Sequence, residues 1–433
     1  MSVNDALTPD SATLLDNLRL LCAQASVAGQ PRALAEGADA VATILRGSGL
    51  DCRIVATPGA PVVLGRYEAG AARTLVVYGR YDVPPAGLRR SWSSDPFQPT
   101  LRDDALYARG AVVKAELVAR AAALQLLIAQ QLPLNIVVVV EGESLAGSPH
   151  LAGVRDALGA GDLCLWSGGG YDGAGAPLLY TGVKGLLQVE LTATTAAAIV
   201  PASYAATVAN PLWTLTLALA SIKSEFEEIL IDGFYDEIAP PSRAELNAVQ
   251  RLDVGEQARR EAWGVKRFLA GVSGAMLART ETFSPTCNIS AINVSSSGVA
   301  AIPARASAEL QFQLVPDHQP ARLFELLTAH LQARGLDDLS VRQLPGAYGP
   351  FQSPALPFDA AQATTRIYGQ PASVVPLTPF AAPAALLVGD VPLLSCGLER
   401  PTSAPLGPDE HVALADVLAH TQLIVELIMR MAV

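Results

Sequence analysis

The chain has 433 residues, half of them hydrophobic and 16% charged, which is enough apolar material for more than one core and unlike a disordered composition. A formal net charge of −11 and the lack of any Lys/Arg run speak against a nucleic-acid partner. No uninterrupted apolar stretch reaches membrane-spanning length, and residues 1–5 lack the basic-then-apolar form of a secretion signal.

In chain order, the apolar spacing predicts two amphipathic helices over residues 11–25 and 32–47, separated by Gly29 and Pro31. Strands follow at 51–56, 62–67 and 74–79. The last of these runs Leu75-Val76-Val77-Tyr78-Gly79-Arg80-Tyr81-Asp82-Val83. Its β-branched core ends in a turn with one basic and one acidic side chain on alternate positions, as when a buried parallel strand delivers polar groups to the carboxyl edge of an α/β sheet. A Pro/Ser/Asp-rich loop spans 92–107, a helix 116–131, a four-valine buried strand 135–141, a short helix 151–158 and a strand 163–167 that runs into Gly168-Gly169-Gly170. Alternating strands and helices over this half predict an α/β sheet with several parallel strands.

From about Gly185 the pattern changes to strand 187–194, helix 210–221, a polar Glu/Arg-rich stretch over 225–279, strands 286–294 and 306–315, helix 321–334 and strand 339–344. That order, β-α-β-β-α-β with an insertion, predicts a small split-βαβ, ferredoxin-like α+β domain. After Pro350 the α/β pattern resumes with a helix near 359–367, strands at 373–376 and 392–395, and a last helix over 414–431. The expected organisation is a large α/β domain (1–184 and 348–433) interrupted by an inserted lid or dimerisation domain (185–347). Cys22, Cys52, Cys164, Cys287 and Cys396 are odd in number, scattered and free of any Cys-x-x-Cys, which reads as reduced thiols in a cytoplasmic protein.

Several of these segments carry a resemblance. Tyr78-Gly79-Arg80-Tyr81-Asp82-Val83, the loop from Trp92 to Thr100, Leu106-Tyr107-Ala108-Arg109-Gly110-Ala111 and Glu141-Gly142-Glu143-Ser144-Leu145-Ala146-Gly147-Ser148 resemble the metal motifs of the dinuclear zinc peptidases of family M20. In the inserted part, Asn210-Pro211, Gly233-Phe234-Tyr235-Asp236, Ile302-Pro303-Ala304-Arg305-Ala306 and Leu314-Val315-Pro316-Asp317 resemble its dipeptidase-like branch. The family contains carnosine dipeptidase, acetylornithine deacetylase and succinyl-diaminopimelate desuccinylase. Its chemistry uses two adjacent zinc ions that activate a bridging water, whose proton a glutamate takes.

Carried over position by position, the resemblance puts non-ligands at nearly every metal site. The first ligand, a His in the family, falls at Arg80, with its orienting partner kept as Asp82. The bridging Asp falls at Val113, beside a retained Lys114. The general-base and ligand glutamates fall at Ser144 and Leu145, the next Asp at Gly168, and the last His near Leu406, ahead of Pro408-Asp409-Glu410. Substrate groups of the lid fall at Val200 and Gln313, and the serine of a Gly-Gly-Ser loop near Ala381. His411 reads as a solvated helix-start residue, and His318, His330 and His420 as structural.

The expected site therefore has no metal and no cofactor. Its candidate catalytic groups are Arg80, Asp82, Glu143 and Ser144; its candidate ligand-binding groups are Lys114, Glu141, Tyr171 and Asp172. Two readings stay open. In one, the cleft serves metal-independent chemistry on, or binding of, a small acyl, amide or amino-acid-like molecule, with Arg80 clamping a carboxylate. In the other, the protein is a pseudoenzyme acting as scaffold or regulatory partner. A bland alternative at the strand end is an Asp82–Arg80 ion pair that fills the void. The resemblance also implies a homodimer through the lid.

Overall fold

The computed structural model describes residues 9–294, 300–336 and 338–432; the N-terminal segment weighed above lies outside them. Its larger sheet has eight strands in the order Asp51–Val55, Val62–Tyr67, Asn135–Glu141, Thr74–Arg80, Leu163–Ser167, Leu393–Cys396, Leu178–Tyr180 and Ser373–Val375. The four central strands run parallel, so Glu141, Arg80, Ser167 and Cys396 all leave the sheet at one edge. Strands buried on both faces need no alternation, which explains the valine run of Asn135–Glu141. One face packs on the helices Ser11–Ala23, Pro31–Gly47, Ala111–Ala129 and Leu414–Ala432. The other holds Tyr78, stacked on Trp166 with ring centroids 3.6 Å apart.

The second sheet is antiparallel, in the order Thr286–Val294, Arg305–Leu314, Gly185–Thr194 and Leu339–Gln343. The helices Pro211–Ile222 and Pro320–Gln332 contribute Leu215, Ala218, Leu323 and Leu327 to its core. This is the expected β-α-β-β-α-β unit. The polar stretch, read from sequence without elements, holds three helices, Arg243–Gln250, Glu256–Trp263 and Gly274–Phe283. Their Val249, Leu252 and Leu277 pack on Leu178, Tyr180 and Val375 at the edge of the larger sheet. So the middle of the 185–347 segment packs on the larger sheet's edge rather than on the second sheet's core.

One helix begins earlier than its pattern predicts. It starts at Ala111 rather than 116, because Gly110 takes the left-handed conformation (φ +80°) and Glu410, distant in sequence, caps the end. The Glu410 carboxylate accepts from the backbone N–H groups of Gly110 (2.9 Å) and Val112 (3.4 Å) and pairs with buried Arg109 at 2.9 Å. Exposed helix-start N–H groups favour an anion, and here a side chain supplies it. The expected helix over 151–158 is instead the 3-10 segment Leu151–Ala157.

The carboxyl edge is cross-braced by buried charges. Arg120 donates to the carbonyls of Trp166 (3.0 Å) and Cys396 (2.7 Å), while Glu116 lies 3.6 Å from it and accepts from Ser167 Oγ and Leu398 N–H. Glu141 accepts from Tyr78 Oη and Ser148 Oγ. Burial, offset only in part by these bonds, pushes the Glu141 carboxyl up to about 8.

Two consequences can be measured. Removing Glu116 strands the Arg120 guanidinium, so Glu116→Ala should lose about 3–5 kcal/mol in denaturant unfolding. Glu141 retains in the native state a proton that the unfolded chain releases above about pH 4.3. Its contribution to stability is therefore greatest in acid and declines as pH rises towards 8. Glu141→Gln should gain stability relative to the wild type between pH 5 and pH 8, read from unfolding midpoints at each pH.

Candidate functional site

Arg80 closes the central strand, in register with Glu141 of the neighbouring parallel strand. Its side chain is half-buried, Nε is enclosed and meets no acceptor, and no carboxylate of the described residues stands in ion-pair contact with it. Burial opposes the charge, but Tyr78 and the carboxylates of Glu116, Asp82 and Glu399 outweigh it and hold the guanidinium above its ordinary value.

The expected Asp82–Arg80 pair does not form. Asp82 is buried and instead accepts from Ser144 Oγ at 2.7 Å and from the Leu145 N–H at 2.8 Å. These bonds fix the 3-10 turn Ser144–Ala146 against the strand end. Ser144 thus spends its hydroxyl proton on a carboxylate. Glu143 turns away to His150, whose Nδ1 lies 2.7 Å from Oε2. That pair is a feature the sequence reading did not foresee.

Two candidates leave the site altogether. Lys114 is buried, with Nζ donating to the carbonyls of Leu21 (3.0 Å) and Gln24 (2.7 Å), so it ties two helices together; burial pulls its pKa down to about 8. A lysine inside a helix points where the helix points it, and this face meets the helix Ser11–Ala23. Asp172 accepts from the backbone of Ala174 and Ala176 within its own turn. Tyr171, by contrast, lines the main cavity.

The histidines expected to be structural are buried. His318 Nε2 meets the Phe234 carbonyl at 3.0 Å, His330 Nε2 the Ser221 carbonyl at 2.9 Å, and His420 is enclosed in the last helix. His411 opens the short strand His411–Ala413 rather than a helix and stacks on Tyr107 at 4.7 Å.

The cavity, about 790 Å³, lies between the large sheet's edge and the second sheet. Gly169, Tyr180, Phe380 and Glu399 line it from one side, Gln311 and Gln313 from the other. Its rim carries Trp263, Leu269 and Tyr235, all exposed. The triple glycine is what lets the chain bend here. Gly168 (φ +129°) and Gly169 (φ +104°) adopt a backbone that L side chains avoid, and a Cβ on Gly170 would sit 1.7 Å from the Glu399 carbonyl.

Glu399, absent from the sequence-based set, follows the strand Leu393–Cys396 by three residues, where a parallel strand also delivers side chains to the ligand edge. It lines the cavity and is exposed to solvent there. Crowding by neighbouring protein atoms, with repulsion from Glu116 and Glu410 against the pull of Arg80 and Arg259, raises the carboxyl above its ordinary value.

The side chains of Val113, Leu145 and Leu406, and the bare Gly168, carry no metal donor atom. Among the described residues no group of three or more His, Cys, Asp and Glu is placed to hold a metal ion. Nor does any helix among them have the length and apolarity to cross a membrane.

Residues 76–430 match the model of "Peptidase family M20/M25/M40". The chain is 25% identical over 288 residues to the Cys-Gly metallodipeptidase of Schizosaccharomyces pombe, covering 63% of this chain and 60% of that protein. It is 26% identical over 289 residues to the human Beta-Ala-His dipeptidase, covering 64% and 57%. The matched region thus spans about three-fifths of the length of these curated relatives. Among solved structures, an M20 family metallo-carboxypeptidase from Sulfolobus solfataricus superposes with a TM-score of 0.88 at 27% identity, covering 96% of this chain and 98% of that one. Human carnosine dipeptidase 1, at 21% identity and a TM-score of 0.84, shares the fold. With the family model spanning most of its length and an M20 enzyme superposing almost end to end, the chain is a member of peptidase family M20/M25/M40.

Proposed function

We propose that this protein keeps the M20 cleft but not the dinuclear zinc centre, and that the cleft takes a small acyl, amide or amino-acid-like molecule whose carboxylate is held by Arg80. The observation that carries this reading is the state of Arg80. It stands at the position of the family's first ligand as a guanidinium without a bonding partner among the described residues. A guanidinium has no lone pair for a metal and does not lose its charge in a protein. Beside a zinc ion it would add repulsion, and its unused N–H donors suit an anion. The residues at the other implied ligand positions, Val113, Leu145, Gly168 and Leu406, offer nothing that zinc binds.

The relatives are named as metallodipeptidases and a metallo-carboxypeptidase, and their substrates motivate the ligand class proposed here. Beyond the strand end Asp82 is bonded to Ser144 and the Leu145 amide, and Glu143 to His150. In this reading those groups position a ligand, and no step is routed through a metal.

The same reading makes the protein a homodimer through the lid. Thr286–Val294 is the outer strand of its sheet, with Ile289, Ile292 and Val294 exposed. Trp213 and Leu217, one turn apart on the helix Pro211–Ile222, are 69% and 60% exposed. An unpaired edge strand beside such an apolar patch favours association. An Ile292→Lys, Trp213→Glu double variant should elute as a monomer in size-exclusion chromatography with light scattering where the wild type elutes as a dimer; a monomeric wild type would reject the dimer.

The function is tested by incubating purified protein with excess zinc, removing unbound metal and counting what remains, followed by thermal-shift screening of N-acyl amino acids and dipeptides. Zinc should stay well below about one ion per chain. A subset of carboxylate ligands should raise the Tm by several degrees, because they bind the native state only, and Arg80→Ala should abolish the rise. Stoichiometric zinc would overturn the proposal, as would ligand shifts indifferent to Arg80.

A further inference from the structure

The wall that the second sheet gives to the cavity carries no charge. Thr286 and Asn288 of the strand Thr286–Val294 stand opposite Gln313 and Gln311 of Arg305–Leu314, and all four line the space. Residues two apart on a strand share a face, as do residues directly opposite on an antiparallel neighbour. The four therefore form one block of three carboxamides and a hydroxyl, while the intervening Phe312 points the other way into the second sheet's core. Among the described residues none of the four side chains takes part in a protein hydrogen bond, and the Gln313 oxygen, enclosed, meets no donor. Because that oxygen holds no bond, the amide can turn about its last torsion towards a ligand without breaking one.

The cations around the cavity are already held. Arg259 meets Glu281 through two bonds of 2.7 and 2.9 Å, and Arg400 meets Asp416 through two of 2.6 and 2.7 Å. Lys223 pairs with Glu227, and buried Lys184 donates through Nζ to the carbonyls of Glu281 and Ser284, each at 2.8 Å. An anion entering here would give up water and have to compete with those partners. Across from the carboxamides stand Tyr180 and Phe380, packed edge to face with centroids 6.2 Å apart.

A carboxamide offers a donor and an acceptor side by side. Another amide uses both at once, through two parallel bonds, which a single hydroxyl cannot do. Aromatic rings suit an apolar body, and a volume of about 790 Å³ is that of a small-molecule site.

We infer that this cavity binds a small neutral amide with an apolar or aromatic body, that Gln311 and Gln313 hold its amide group, and that Tyr180 and Phe380 cover the body. The inference is separate from the assignment of Arg80, which is not among the residues that line this cavity. It makes ligands with blocked, uncharged ends the good ones, and a free carboxylate adds nothing at this wall.

The test is calorimetric titration of the full chain with N-acetyl-L-phenylalaninamide and N-acetyl-L-phenylalanine, which differ only in an amide against a carboxylate. The amide should bind the wild type. Raising NaCl from about 50 to about 500 mM should leave its Kd within about twofold, because no ion pair forms. The Gln311→Leu, Gln313→Leu variant, which nearly keeps side-chain volume, should weaken it about tenfold or more. If that variant folds poorly, half-buried Gln311→Leu alone should still weaken it about threefold. Arg80→Ala should leave amide binding unchanged. The inference is overturned if the amide does not bind the wild type, if its binding survives loss of the glutamines, or if it requires Arg80. Binding of the carboxylate through Arg80 with no binding of the amide would sink this inference alone. Binding of the amide with none of the carboxylate would leave it standing and count against the reading of Arg80.

Discussion

A half-buried guanidinium at the end of a central parallel strand is the constraint from which the rest follows. Arg80 cannot surrender its charge, cannot coordinate a cation and has no protein acceptor among the described residues. Its position follows from its sequence neighbours, a β-branched strand buried on both faces that runs out at the sheet's ligand edge. The surrounding carboxylates hold it charged without bonding to it. In the proposed reading such a site receives an anion from outside and is a poor place for a divalent metal.

The rest of the edge is held in place before any ligand arrives. Asp82 fixes the turn Ser144–Ala146, Glu410 caps the helix Ala111–Ala129 through Gly110 and Val112, and Arg120 joins the ends of two strands through their carbonyls. Each uses a buried charge with at least one backbone partner, so each fixes main chain as well as side chains. Burial of so many ionisable groups makes the protein's stability pH-dependent, and it leaves Arg80 at the strand end without a bonded partner among the described residues. In the proposed reading Arg80 supplies specificity, and the paired charges around it supply rigidity.

Much of the fold was legible in the sequence because the larger sheet and the lid obey simple patterns. The valine run at 135–141, the Leu163–Ser167 strand leading into three glycines, and the two-period change near Gly185 each announce their element. The helix Ala111–Ala129 was legible only in its later turns, because its cap comes from Glu410, which local spacing cannot reveal. The three helices between 243 and 283 were hidden by composition. Their exposed faces are polar, and the few apolar residues they bury, such as Val249 and Leu277, pack against a distant strand.

Arg80 ends its strand at the sheet's edge, and Tyr171 lines the cavity. Lys114 was misread because a helix start near the cleft says nothing of which way a side chain faces. The Asp82–Arg80 pairing failed because a hydroxyl and an amide of the next loop reach the carboxylate instead. Glu399 was missed although the rule that found Arg80, a polar residue just past a parallel strand, applies equally to it.

The most direct measurement of the central claim is a crystal of the purified protein soaked in zinc, with diffraction recorded at the zinc absorption edge. The account predicts no anomalous peak among Arg80, Gly168 and Leu145, and ordinary density for an unligated guanidinium. Two peaks about 3.5–4 Å apart at that edge, the separation of a working dinuclear site, would contradict it.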